Sequence, residues 1–302
     1  MSEVTNRVDE VYNKYINLIE KVNETESIYH YTSPSGFLGI LDNKALWFTD
    51  SDFLNDSSES EYFHDTFSSV IPKGNGFYIN KSFEFKSYFI SSLHANAYHD
   101  GKMTYERKRE FRYLASFSTD GDNLSLWNYY TKTPTKVGYN FGINLKPFIN
   151  SIIIDSGQRL MHGKVIYDRK VQESILSNMI EEYTAIYKLL SYTYQRNYLF
   201  EKLEDNIVYF SMFMKNEAFA SENEYRIAII TISDLGKQDV LFRENGGIFI
   251  PFIEKPFDIN SINRIGISPT NRSKFAEQSI QKLKIEREID AEVFLSEIPL
   301  RY

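Results

Sequence analysis

The chain contains no cysteine. Disulfide staples, thiolate catalysis and cysteine-ligated zinc are excluded, and a reducing, cytoplasmic location is the natural expectation. No stretch reaches the run of about 18 apolar residues that a membrane span needs, so no membrane contact is expected. Met1 to Glu10 carries acidic and amide side chains without an apolar segment, unlike a signal peptide. GxGxxG and P-loop patterns are both missing, which argues against a doubly wound nucleotide fold. A Ser-His-Asp hydrolase finds no nucleophile elbow. The five histidines are dispersed, and His94 with His99 is no compelling ligand spacing. Asp50, Asp52 and Asp56 lack the full calcium-loop pattern, so no metal is expected.

What is present is ordinary for a folded chain. Of 302 residues, 42% are hydrophobic and 25% charged, enough for a sizeable core. Net charge is −7, which argues against broad non-specific binding to nucleic acid. Aromatic residues are abundant, with 22 Tyr and 23 Phe, and a core rich in both rings is the plain explanation.

Along the chain, Val8, Val11, Tyr12, Tyr15, Ile19 and Val22 recur at helical spacing and predict an N-terminal helix within residues 1–27. Ile28 to Tyr31 reads as a short strand. Ser33 before Pro34 is a strong helix start, and Phe37, Leu38, Ile40 and Leu41 continue it. Strands are expected at Leu46 to Thr49, Arg112 to Ser118, Gly138 to Asn144, Ser151 to Ile154 and Gly163 to Tyr167. Glu224 to Ile232 alternates most clearly, and Gly247 to Phe252, Ile262 to Ile267 and Ala291 to Leu295 follow. Helices are expected at Glu59 to Val70, Phe83 to His99, Leu124 to Tyr130 and Asn271 to Leu283, and Lys170 to Leu203 reads as the longest helical region, one helix or a pair. Strands and helices mix without a βαβ rhythm, so the fold class is α+β. Residues 28–302 read as one domain with a helical insertion near 170–215.

Three segments carry chemistry. His30 sits at the end of a strand just before a helix N-terminus, where free amides and a polar side chain can meet a ligand. A lone His beside an apolar strand is nonetheless more often a structural hydrogen-bonding group. Ser125 and Trp127 lie on a short helix that ends in Tyr129 and Tyr130. Glu222, Glu224 and Arg226 stand at i, i+2 and i+4, so on a strand they share one face. Either they form an exposed ion pair of little worth, or a carboxylate there orients a ligand hydroxyl or stabilises a cationic transition state.

Tyr29-His30-Tyr31-Thr32, then Gly39-Ile40-Leu41 and Leu46-Trp47, resembles the first motif of the diphtheria-toxin and poly(ADP-ribose) polymerase class of ADP-ribosyltransferases. Asn223-Glu224-Tyr225 looks like that class's last motif, and Phe117, Ser125 and Tyr129 or Tyr130 match its middle in kind and order. Tyr31 stands where the polymerases commonly have Gly. The whole chain, Ile28 to Arg301, is still more similar to a bacterial family of unknown function, number 2971. The shared features are the His-Tyr-Thr start, Ser-x-Trp-x-x-Tyr, Glu-x-Glu-x-Arg and the closing Ser296-Glu297-Ile298-Pro299-Leu300-Arg301.

The resemblance implies a split antiparallel β-sheet of ADP-ribosyltransferase type with surrounding helices, taking NAD as substrate. His30 would bond the adenosine-side ribose. Tyr31, Thr32 and Ser125 would line the nicotinamide end, and Trp127, Tyr129 or Tyr130 would stack on its ring. Glu224 would hold the ribose and stabilise the oxocarbenium-like transition state, Glu222 would help activate an acceptor, and Arg226 would meet a phosphate or orient the glutamates. The acceptor, protein or nucleic acid, is left open, and a bacterial toxin or phage-defence effector would suit such chemistry. A basic stretch, Lys102, Arg107, Lys108, Arg109 and Arg112, is either a nucleic-acid rim or a solvated helix face. Two other readings remain: a non-catalytic nucleotide sensor on the same fold, and a metal-independent nuclease using His30 with a glutamate.

Overall fold

The computed structural model describes residues 3–54, 59–70, 110–130, 137–190, 193–232 and 239–299. The expected helix Phe83 to His99, most of the basic stretch, His94, His99, Asp56 and Arg301 lie outside the described residues. The chain groups into two compact units. One comprises residues 1–20, 56–109 and 166–217, and the other residues 21–55, 110–165 and 218–302.

In the described part of the first unit the elements are helices: α1 (Glu3–Ile16), α3 (Glu59–Val70), α6 (Arg169–Tyr187) and α7 (Thr193–Phe213). The expected helical stretch from Lys170 is thus two helices. Gln172 is fully buried yet satisfied. Its amide donates to the carbonyls of Ile166 and Lys215 at 2.7 and 2.9 Å and accepts from the Tyr62 hydroxyl at 2.8 Å. Lys215 pairs with Glu59 at 3.3 Å, both largely buried. The first helix ends at Ile16, short of the expected Val22, because the backbone tightens there: Leu18 N–H bonds Tyr15 C=O rather than the residue four back.

The second unit holds every strand described. In chain order these are β1 (Ser27–Thr32), β2 (Ala45–Asp50), β3 (Glu110–Ser118), β4 (Tyr139–Asn144), β5 (Gln158–Lys164), β6 (Glu224–Ile232), β7 (Leu241–Asn245), β8 (Ile248–Pro256), β9 (Ile262–Ile267) and β10 (Glu292–Leu295). The helices are α2 (Pro34–Asn43), α4 (Leu124–Tyr130), α5 (Leu145–Ser151) and α8 (Lys274–Glu286). The sheet is mixed: only β9 and β10 among the described pairs run parallel. The architecture is α+β, as the element pattern predicts.

Strand β3 is the hub. Along one edge it pairs with β6 from Glu110↔Ile232 to Ser118↔Glu224, and β6 passes on to β5. The other edge is shared. Tyr113 and Leu114 pair with β2, while Ser118 pairs with Tyr29 of β1. Two arms leave β3 there, β1-β4-β9-β10 and β2-β8-β7. Between the two contacts, Ala115 to Phe117 pair with neither strand, so the sheet forks.

One face of this sheet is the core. Tyr225, Ile227 and Ile229 alternate into it with Tyr113, Ala115 and Phe117, and α2, α5 and α8 cover it through Phe37, Leu41, Phe148 and Ile280. Helix α2 starts as its sequence predicts: Ser33 accepts from Gly36 N–H at 3.1 Å with Pro34 in the first turn. The expected strand Ser151 to Ile154 is absent. Leu145 and Phe148 fall at helical spacing, form α5 and bury against the core, and Ser151 closes that helix.

Candidate functional site

The expected site residues all lie in the sheet unit, around the fork. On β1, alternation sends Tyr29 and Tyr31 to one face and Ile28 and His30 to the core face. The His30 ring lies 5.4 Å from both Phe117 and Phe141. Its Nδ1–H donates to the Ser116 carbonyl at 2.9 Å, which satisfies a backbone group that the fork leaves unladdered. Burial pushes the imidazole pKa below its usual value, and the nearby Arg243 charge pushes it the same way. The ring is therefore neutral, with Nε2 as an acceptor. Thr32 lies against the first turn of α2, since a Cβ on Gly36 would meet its hydroxyl at 2.3 Å.

Glu224 and Arg226 open β6, and the register gives them the faces of Ser118 and Ser116. Their pairing is bidentate: Arg226 Nε reaches Glu224 Oε1 at 2.8 Å and Nη2 reaches Oε2 at 3.0 Å. Glu224 is 5% exposed and Arg226 1%. The pair is thus neither at the surface nor weakly held. Glu222 does not share its face. It ends a 3-10 turn (Glu217–Glu222), and Asn223, at φ 46°, turns the chain before the strand begins. Asn tolerates this left-handed conformation better than most residues. The period-two argument fails at that residue. Nor does the structure bring His30 and Glu224 onto one face: His30 goes with Phe117 and Tyr225, Glu224 with Ser118.

The middle segment is tied to β1 by Tyr31. Its hydroxyl donates to Asp120 C=O at 2.8 Å and accepts from Asn123 N–H at 2.9 Å, holding the turn that leads into α4. Burial raises the Tyr31 pKa well above the usual phenol range. Its backbone belongs to the β1–β4 ladder, opposite Asn140. The bulky Tyr31 ring is a structural clamp. Trp127 packs edge-on against it, with centroids 4.7 Å apart, and is fully buried. Its Nε1–H donates to Asp122 at 2.7 Å. A ring so enclosed cannot stack on a ligand. Tyr129 is exposed, and Tyr130 stacks on Tyr31 at 6.4 Å. Ser125 is exposed on the first turn of α4.

Thr119 to Asn123 reads from sequence as a turn and helix cap, which the structure shows, and the bonds that Asp120, Asp122 and Asn123 make to distant segments go beyond that reading. Asp122 also accepts from the Ser296 hydroxyl at 2.5 Å and Glu297 N–H at 2.9 Å. Asn123 caps α4 through Leu126 N–H at 3.1 Å and donates to Ser221 C=O at 2.6 Å. Ser118 donates to Glu222 C=O at 2.7 Å. Four motifs far apart in the chain therefore converge on one turn. The Asp-x-Asp-Asn run before a short helix was the available signal, since such residues cap helices and bridge turns. Among the described residues no group of three or more His, Asp or Glu could hold a metal.

Beside Glu224, the Tyr225 hydroxyl and His162 Nδ1 share a hydrogen bond of 2.6 Å. Burial lowers the His162 pKa to about 4, and the Lys21 charge adds to the shift. A depressed folded-state value means that the unfolded chain binds the proton first as pH falls through about 6.5. Stability is complete above that pH and is lost towards pH 4, and the lowered His30 acts in the same direction. Urea unfolding of wild type should lose about 1–3 kcal/mol more between pH 7.5 and pH 5 than His162→Gln does. Equal losses in the two proteins would show that His162 does not carry the effect.

Fold and site together define a mixed α+β protein with a forked sheet and a buried carboxylate–guanidinium pair beside the fork. The family model described as Protein of unknown function (DUF2971) matches residues 126–227. The chain is similar to that family over this third of its length, which spans Trp127, Glu222, Glu224 and Arg226 but not His30. Neither a curated protein nor a solved structure matches. No helix among the described residues is long and apolar enough to cross a membrane.

Proposed function

We propose that the chain is an NAD-consuming enzyme, an ADP-ribosyltransferase or NAD glycohydrolase, with its ligand at the fork of the sheet. The observation that carries this reading is the fork itself, with neutral His30 standing in it. Nδ1 is committed to Ser116, so Nε2 can accept from a ribose hydroxyl. Glu224 opens β6 across β3 from the fork. Its two oxygens accept from Arg226 Nε and Nη2, and in this reading the same carboxylate holds the ribose 2′-OH. As the bond from C1′ to nicotinamide breaks, its electron pair leaves with nicotinamide, and positive charge grows on the ribose ring beside the carboxylate. Water or a macromolecular acceptor then attacks C1′ and gives up its proton. Such chemistry suits a bacterial toxin or phage-defence effector.

A second reading, a nucleotide-binding module without turnover, is favoured by one observation. Arg226 occupies both oxygens of Glu224, on the face away from His30. Nicotinamide release separates the two. With NAD and a cell extract or nucleic acid as acceptor, Glu224→Gln should lower release by about 10²–10³, as loss of such an electrostatic group typically does. Circular dichroism and a thermal melt establish that the variant is folded. NAD binding by calorimetry with no release in folded wild type would favour the sensor, and neither binding nor release would sink both readings.

A further inference from the structure

A second cation lies on the Glu224 face, on the other arm of the fork. Arg243 belongs to β7, and its guanidinium reaches across β8 to Thr49 of β2, with Nη2 donating to Oγ1 at 3.0 Å. The register supports the reach: Arg243 pairs with Ile250, Phe252 pairs with Thr49, and Thr49 pairs with Leu114 of the hub strand. The guanidinium sits 5.7 Å from the Trp47 ring centroid. That ring packs on Phe252 at 4.4 Å, donates Nε1–H to Glu254 at 2.9 Å and is 44% exposed.

Two facts set Arg243 apart from Arg226. Arg226 is matched by Glu224, whereas among the described residues no carboxylate lies within ion-pair distance of Arg243. It is also partly buried, which lowers its pKa, while its charge is felt at His30 and the Tyr130 phenol opposes the lowering. A partly dehydrated cation without a counter-charge is unfavourable. A guanidinium carries five N–H donors in a planar fork that matches phosphate, and Thr49 takes one of them.

We propose that Arg243 is the anion-binding residue of the site, taking a phosphate or pyrophosphate of a nucleotide, with Trp47 and Tyr130 flanking the base or ribose. The inference rests on the fork as the ligand site of the reading above, and it assigns to Arg243 the phosphate role expected of Arg226. Pyrophosphate, ADP, adenosine and NAD are titrated by calorimetry into wild type, Arg243→Gln and Arg243→Lys, with thermal melts to establish that each is folded. Pyrophosphate and ADP should bind wild type, and adenosine at least ~10-fold more weakly than ADP. Arg243→Gln should weaken ADP and pyrophosphate by about 10–100-fold and leave adenosine unchanged, as expected for loss of charge-assisted bonds. Arg243→Lys should recover part of the loss, because it keeps the charge without the fork. The ADP-induced change in tryptophan emission should vanish in Trp47→Phe. Unchanged pyrophosphate affinity in Arg243→Gln, or no anion binding by folded wild type, overturns the assignment. ADP binding through Arg243 with no binding or cleavage of NAD supports the anion site and removes NAD as its ligand.

Discussion

Replacing Arg226 by Met should destabilise the protein by about 3–5 kcal/mol, the range for removing one partner of a buried ion pair. Both side chains are almost wholly buried and meet through two bonds of 2.8 and 3.0 Å. Bringing two charges out of water is costly, and their close bidentate geometry helps to offset it. Remove the guanidinium and the Glu224 carboxylate stays behind in the same low-dielectric place. The double variant Glu224→Met with Arg226→Met removes both charges and should recover much of the loss, since an apolar pair of similar volume is often neutral. Urea unfolding midpoints of the single and double variants, at equal m, measure both quantities. A single-variant loss below about 1 kcal/mol would mean that the pair behaves like a solvated one. The same series bears on function, because it shows how firmly Arg226 holds the carboxylate that the proposed chemistry needs.

Trp127→Ala should cost a similar amount, about 3–5 kcal/mol, the range for truncating a large buried ring. Two losses add up here. The cavity removes the edge contact with Tyr31, and the Nε1–H bond to Asp122 disappears. Asp122 is also what holds Ser296 and the Glu297 amide. Trp127→Ala should therefore speed hydrogen exchange at Glu297 N–H as well as lower the unfolding midpoint. Trp127→Phe keeps most of the packing and loses the bond, so it should fall between. Unchanged exchange at Glu297 in Trp127→Ala would show that Asp122 holds the C-terminal segment without the indole.

Much of the fold was legible in the sequence where one local rule operated without competition. Ser33 and Pro34 place the start of α2 because capping is a property of adjacent residues. Tyr225, Ile227 and Ile229 place β6 because the two faces of a strand differ in burial. Two features were missed for opposite reasons. Strand β7 was missed because Leu241, Phe242, Glu244 and Asn245 are exposed, so no burial pattern is written into it. Ser151 to Ile154 offered apolar β-branched residues, but the preceding helix α5 claims Ser151 because Leu145 and Phe148 bury together on the core.

The site divides along the same line. The residue types were visible: a His before a capped helix, a Ser-x-Trp helix, a Glu-x-Glu-x-Arg run. Their roles were not, because a role depends on which group faces which. A single left-handed residue, Asn223, takes Glu222 off the strand face. One-residue alternation on β1 separates His30 from Glu224 and turns Tyr31 into a clamp over the Asp120–Asn123 turn. Arg243 carries no sequence signal, since an arginine in a short exposed strand looks like any surface charge. By itself the sequence determined the α+β class, the order of most elements and the chemistry of their ends, because capping, periodicity and turn preference act over a few residues. The tertiary structure alone decided the fork in the sheet, the burial of the Glu224–Arg226 pair and the convergence of four motifs on the Asp120–Asn123 turn. Each depends on contacts between segments far apart in the chain, and strand register is fixed by packing over the whole core rather than by neighbours in the chain.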